Sequence, residues 1–249
     1  MATVIQIKNA DFSGKGFPVI TPLYAEGILG AFRPHKSLQD SSDLSGKGST
    51  INIIGNPIFR ETYVECDTAN GLVTNITEKS SMTYAFVSRT KSVGGNFQSF
   101  LGGSYTGGRG LSMYRTNVGV SSQTFAKRTT DNTYQNETKR IANTSLDTSE
   151  LTKWGFWLVS IDAVNNKVRA FNSEFGFIDL TTAERNYADR DGLSRSLYIG
   201  KPSYTSEATY PAKTHVAEAL FYGKALSDDE ILRVLDVSRK AMALRQIYF

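Results

Sequence analysis

Two histidines, one cysteine and a scatter of carboxylates carry most of this chain's capacity for chemistry. His35 and His215 are far apart in sequence, and neither stands in an H-E-x-x-H pattern that would set two imidazoles on one helix face for a metal. Gly102-Gly103-Ser104-Tyr105-Thr106 lacks the last glycine of the G-x-S-x-G elbow, which exposes a nucleophilic serine on a sharp turn. Gly46-Lys47-Gly48-Ser49 has the residue types of a phosphate loop, but the serine does not follow the lysine directly and no helical pattern comes next. It reads as turn chemistry. Cys66, the sole cysteine, reads as a small buried hydrophobe and not as a nucleophile awaiting a histidine. The chain is expected to be no enzyme.

Binding residues are easier to nominate. Sugar sites combine an aromatic platform with a few convergent polar groups. The segment 102–110 (GGSYTGGRG) offers Tyr105 and Arg109 amid glycines, and the segment 128–140 (RTTDNTYQNETKR) surrounds Tyr134 with amides and hydroxyls, Asn132 among them. These four residues form the candidate carbohydrate-binding set, with both segments expected as loops. A free C-terminus is normally polar and frayed, whereas this one closes on Leu244, Ile247, Tyr248 and Phe249. Those four are the candidate assembly residues.

The elements that must position these groups are mostly strands. The 249 residues, 40% of them hydrophobic, suffice for one large β domain. Short apolar runs alternate with Gly, Asn, Asp and Ser clusters, the pattern of antiparallel sheets in a sandwich. TVIQIK opens the chain; residues 58–65 (IFRETYVE) and 81–90 (SMTYAFVSRT) alternate apolar and polar positions, the second with Met82, Tyr84 and Phe86, or their neighbours, facing one side. Residues 110–120 read as a strand pair, and 154–174 as a hairpin around Asn165–Asn166, a pair that tolerates positive φ. In HVAEALFYG (215–223), Val216, Ala219 and Phe221 alternate with Ala217, Leu220 and Tyr222, as on a strand buried on both faces. A capping box at Ser227-Asp228-Asp229-Glu230 then opens a helix with Ile231, Val234, Leu235, Ser238, Ala241 and Met242 on one stripe.

Several partner classes are excluded by composition. Lys and Arg total 28 against 24 Asp and Glu, a net charge of +4 with no basic stripe, so nucleic acid is not an expected partner. One cysteine allows no intramolecular disulfide, and no apolar window reaches the length of a membrane span. The first residues lack the basic start and apolar run of a secretory signal. The sequence therefore predicts a product made in a reducing cytoplasm, and Asn75, Asn136 and Asn143 serve as loop residues, not glycan acceptors.

Residues 27–48 (GILGAFRPHKSLQDSSDLSGKG), with the D-x-S-G-x-G turn at Asp43, Ser45, Gly46 and Gly48, resemble the first strand and turn of laminin-G-like, concanavalin A-like lectin domains. SSMTYAFVSRT, WGFWLVSIDAVNNKVRAFN, LYIG and VAEALFYGKALSDDEI are similar to four later elements of that family, in the family's order. The resemblance spans residues 27–235. It implies a two-sheet antiparallel jelly roll with a short helix across one end of the sandwich. Residues 1–26 then read as an N-terminal docking segment holding a second D-x-S-G-K-G copy (Asp11–Gly16), and 236–249 as a C-terminal helical extension.

Glucan hydrolases on this fold carry an E-x-D-x-E triplet that sets two carboxylates about 5 to 5.5 Å apart. Here Glu65-Cys66-Asp67-Thr68-Ala69 has alanine at the third position. The resemblance also raises calcium, for which Asp131, Asp189 and Asp191 are loop ligands at hand; no metal or other cofactor is assigned. The opening IKNADFSGKGFP is similar to tail and accessory proteins of tailed phages. The expected function is thus a non-enzymatic virion structural or adhesion protein: a tail, baseplate or fibre component, or a capsid decoration. Its expected partners are other virion proteins, its own copies in a homo-oligomer and a host surface glycan. The alternatives are a stand-alone bacterial lectin and, behind it, a divergent glycoside hydrolase.

Overall fold

The computed structural model describes residues 26–91, 98–104, 110–116, 119–143, 153–189, 195–202 and 212–249. The TVIQIK run, the first D-x-S-G-K-G copy, Tyr105, Arg109 and Asp191 lie outside them. Two antiparallel sheets face each other. Sheet I runs in the order β13 (Gly176–Asp179), β12 (Lys167–Asn172), β11 (Gly155–Asp162), β6 (Met82–Lys91), β16 (Lys213–Tyr222), β4 (Val64–Cys66), β3 (Ile58–Phe59), with β1 (Ile28–Phe32) paired to β16. Sheet II runs β10 (Tyr134–Asn143), β9 (Gly119–Arg128), β8 (Ser112–Thr116), β7 (Gln98–Gly103), β15 (Ser196–Ile199), β5 (Gly71–Thr77), β2 (Ile51–Ile54), with β14 (Arg185–Asn186) paired to β9. The all-β, two-sheet sandwich read from the sequence is the fold.

Strand periodicity explains the layers. Met82, Tyr84 and Phe86 of β6 point between the sheets and join Val216, Ala219 and Phe221 of β16 in the inner core. Ala85, Val87, Ala217, Leu220 and Tyr222 point the other way, to the outer face of sheet I. That face is covered too. Helix α1 (Asp228–Ala243) lays Ile231, Val234, Leu235 and Met242 onto it, and the chain then turns back so that Ile247 is buried in the same cluster. The expected position across one end of the sandwich is corrected: the helix makes a third layer, because sheet I presents an apolar row on its outside that only a covering element can bury.

The cap forms as the sequence predicts. Glu230 N–H donates to Ser227 Oγ (3.3 Å), and Ser227 N–H donates to Glu230 Oε2 (2.8 Å). Such a cap contributes about 1 kcal/mol. Each fully buried aliphatic side chain behind it contributes about 1.5–3 kcal/mol, so packing holds this helix and the cap sets where it starts. One helix runs across position 235, where the sequence reading divided the chain.

Asp43 organises the opposite edge. Its Oδ1 accepts from the N–H groups of Ala31 and Ser45 (both 2.9 Å), and its Oδ2 accepts from Ser45 Oγ (2.7 Å) and Ser49 N–H (3.0 Å). Gly46 and Gly48 both sit at φ +73°, a region costly for side-chain-bearing residues. The D-x-S-G-x-G motif is therefore a turn that staples β1 to the chain entering β2.

Two local expectations are corrected. Residues 58–65 are not one strand but the β3–β4 hairpin, closed by Arg60 N–H donating to Tyr63 O (2.8 Å). Glu61 and Thr62 have no apolar face to bury, and they take the turn. The 128–140 segment is not one loop: only 129–133 turn, and β10 begins at Tyr134. As the outermost strand of sheet II it has one strand neighbour among the described residues, so polar side chains are tolerated there and the sequence carries little strand signal.

Candidate functional site

At the end of sheet I where β16 begins, register places Glu65 (β4), His215 (β16) and Arg89 (β6) side by side across three strands. They face outward, since their neighbours Val64, Cys66 and Val216 face the inner core. The β3–β4 hairpin lifts Arg60 and Tyr63 above this row, and Trp154, just ahead of β11, stands at its other end. Arg60, Tyr63, Glu65, Arg89, Lys91 and His215 line an open cavity of about 370 Å³, and Trp154 stands beside it without lining it.

The geometry is aromatic and cationic. Tyr63 stacks on the His215 ring (centroids 4.4 Å, 21° between planes) and meets Trp154 edge-on at 5.6 Å. The Arg89 guanidinium lies 4.8 Å from the Trp154 ring centroid and 5.4 Å from that of Tyr63, within cation–π range of both. Its Nε–H donates to His215 Nδ1 (3.1 Å). An acceptor Nδ1 fixes the neutral tautomer with the proton on Nε2, which lies 3.3 Å from Glu65 Oε2 in a contact too oblique for a full hydrogen bond. Burial, then the neighbouring Arg89 charge, push the imidazole down to about 4.

Glu65 is the cavity's one lining carboxylate. Its Oε1 lies 2.9 Å from Lys213 Nζ and its Oε2 3.7 Å from Arg60. Desolvation works to raise its carboxyl, but the Lys213 hydrogen bond and charge, with His215 and Arg60, hold it below the ordinary carboxylate value. Asp67, the other half of the partial triplet, accepts from the N–H groups of Ala69 and Asn70 and from the Asn70 side chain. It is spent on a turn, so the E-x-D segment builds no paired acid and nucleophile.

The sequence-nominated residues fall elsewhere. Tyr134 stacks on Phe125 (5.7 Å, 18°), has Lys127 over its ring at 5.9 Å, and donates its hydroxyl to Asp189 Oδ1 (2.6 Å). Asn132 sits at φ +58° at the tip of the 129–133 turn, its N–H donating to Arg128 O. Of the assembly candidates, Ile247 is buried and Phe249 stacks on Phe156 (6.2 Å, 14°), so both are occupied by their own domain; Leu244 and Tyr248 point to solvent. Asp131 is taken up by Arg128 and Thr133, and Asp189 by Tyr134 and Lys127. Among the described residues no three metal-ligating side chains cluster, and no helix is long and apolar enough to cross a membrane.

The cavity was missed because its residues come from three separate stretches, each unremarkable alone. A signal did exist: on β6 and β16, Arg89 and His215 are polar positions on the side that carries Ala85, Val87, Ala217, Leu220 and Tyr222.

No family model matches the chain, and no curated protein matches it in sequence. Solved structures do. The botulinum neurotoxin serotype G binding domain matches with a TM-score of 0.64 at 10% identity, over 85% of this chain and 52% of that one. The receptor-binding domain of botulinum neurotoxin D matches at 0.60 and 10%, over 86% and 54%. A structure of botulinum neurotoxin type C, a toxin that depends on interaction with two ganglioside molecules to get into cells, matches at 0.62 and 11%, over 86% and 51%. The chain spans about half the length of these structures. At such identities the likeness is one of fold: this is a two-sheet β-sandwich of the kind found in those binding domains.

Proposed function

We propose that the protein is a non-enzymatic, lectin-like module that binds a carbohydrate in the cavity between the β3–β4 hairpin and the start of β16. The observation that carries this reading is the joining of the Tyr63 ring, against which Trp154 packs edge-on, to the polar row Glu65–His215–Arg89 in one open concavity. Sugars present apolar C–H faces and polar edges, and an aromatic ring beside such a row offers contacts for both. The ganglioside interaction of the type C toxin supports the reading by analogy of fold. A glycan array probed with the full chain tests it. Retained glycans that are lost on Tyr63→Ala support it; the same glycans retained equally by that variant, or none retained, overturn it.

A virion setting for the module, in a phage tail, baseplate, fibre or capsid decoration, is supported by the sequence resemblance alone. Its structural prerequisite is assembly. A light-scattering mass of several chains for the intact protein favours that setting, and a monomer counts against it.

A further inference from the structure

The cavity has an imbalance of charge that names a ligand class. Three cations line it, Arg60, Arg89 and Lys91, against the single carboxylate of Glu65, and Lys213 already pairs with that carboxylate. Lys91 is exposed and makes no ion pair among the described residues. Arg89 is the more telling of the two. One of its N–H groups is spent on His215 Nδ1, and no carboxylate pairs with it among the described residues. Its guanidinium carbon lies within cation–π distance of both Tyr63 and Trp154, and these two contacts together with the His215 bond restrict where the two terminal nitrogens point. An arginine fixed in this way presents the fork that matches a carboxylate bidentately, at little further loss of side-chain freedom. A half-buried cation left without an anion, beside an aromatic ring, is an arrangement that an acidic sugar completes.

We propose that the preferred ligand is a sugar bearing a carboxylate, a uronic or other acidic saccharide, whose carboxylate pairs with the Arg89 guanidinium while its ring lies against Tyr63. This rests on the glycan-binding reading above and sharpens it. Glu65 is then a discriminating group: held ionised by Lys213, it faces the same cavity and sets an upper limit to the number of anionic groups a ligand can carry there.

The test uses the intact chain and a matched pair of probes, oligogalacturonate and the corresponding neutral galactose oligomer, titrated calorimetrically and by ligand-observed NMR. A charge-assisted pair contributes about 1.5–3 kcal/mol, so the acidic oligomer is expected to bind roughly ten- to hundredfold more tightly. That preference should shrink as salt is raised, vanish in Arg89→Met, and grow in Glu65→Gln. Arg60→Gln, at an exposed position, should reduce it with no effect on folding and gives a second readout should Arg89→Met fail to fold. Equal binding of both oligomers, lost on Tyr63→Ala, overturns the acidic-sugar inference and leaves glycan binding standing. Acetate or sulfate displacing the acidic oligomer at equal concentration overturns it in favour of a bare anion site. Binding of neither oligomer overturns it as well, and a glycan array silent in the same hands brings down the wider reading.

Discussion

On the outer side of β16, Leu220 and Tyr222 lie beneath helix α1, whereas His215 on the same side opens into the cavity. The two halves of sheet I's outer face thus share strands and differ in what covers them. Under the helix, the outward residues of β6, β11 and β16 are mostly apolar, with Thr83 and Ser160 hydrogen-bonded to each other; beyond it, β6 and β16 present Arg89 and His215, and the neighbouring β4 presents Glu65. The bulge between Val216 and Glu218 marks the border. It shifts the strand by one position, so that Ala217 and Glu218 both reach the outer side, and Glu218 meets Arg33 in a buried pair (2.8 Å). A single sheet can carry a core and a binding surface on one face when a bulge and an ion pair separate them.

The covered half predicts the largest effects. Met242→Ala should cost about 2–5 kcal/mol, read as a lower urea midpoint, because its side chain is fully enclosed between helix and sheet. The folded fraction should still bind ligand with unchanged affinity; a parallel loss of affinity would show that the two halves are not independent. Truncation after Ser238, which removes Met242, Ile247 and the Phe249–Phe156 stack together, should destabilise further still.

The open half predicts a pH effect. Between pH 6.5 and about 4 the unfolded chain takes up a proton at His215 that the folded chain refuses, so stability falls as pH falls through that window. For one proton the slope is at most about 1.4 kcal/mol per pH unit. Thermal melts of wild type and His215→Gln from pH 7 to 4.5 should converge at the acid end, and parallel curves would refute the assignment. Smaller effects return to the covered half. Ser227→Ala should cost about 1 kcal/mol by removing the helix cap. Tyr134→Phe, losing one exposed hydrogen bond to Asp189, should cost under about 1 kcal/mol and leave glycan binding untouched.

How far the sequence could be read divides along the same line. Covered elements were legible because burial imposes a period: the alternating sets of β16, the inward side of β6 and the helical stripe from Ile231 to Met242 all appear as read. So does the positive φ of Asn166 in the β11–β12 turn. Edges were not legible. β10 carries polar residues on both sides because it has one strand neighbour among the described residues, and β3 and β4 are too short to show a period. Arg115 is the sharpest case. Its charge alone would put it outside, yet alternation sets it on the side of Leu111 and Met113, and it is enclosed between the sheets, donating to Ser88 O (2.8 Å) and lying 5.1 Å from the Trp157 ring. The cavity was least legible of all, because strand pairing across distant segments, not spacing along the chain, brings His215 to Glu65 and Arg89.

Cys66 sits in the inner core at 1% exposure, and its thiol is pushed far up by burial, with Asp67 and Glu65 adding to the effect. The protein is therefore silent towards thiol reagents while folded. A cysteine introduced at solvent-facing Leu244 would be its only labelling point, a fixed address for a fluorophore or spin probe. The same silence makes alkylation of Cys66 a clock for opening of the sandwich, since the reagent can count only those molecules in which the two sheets have parted.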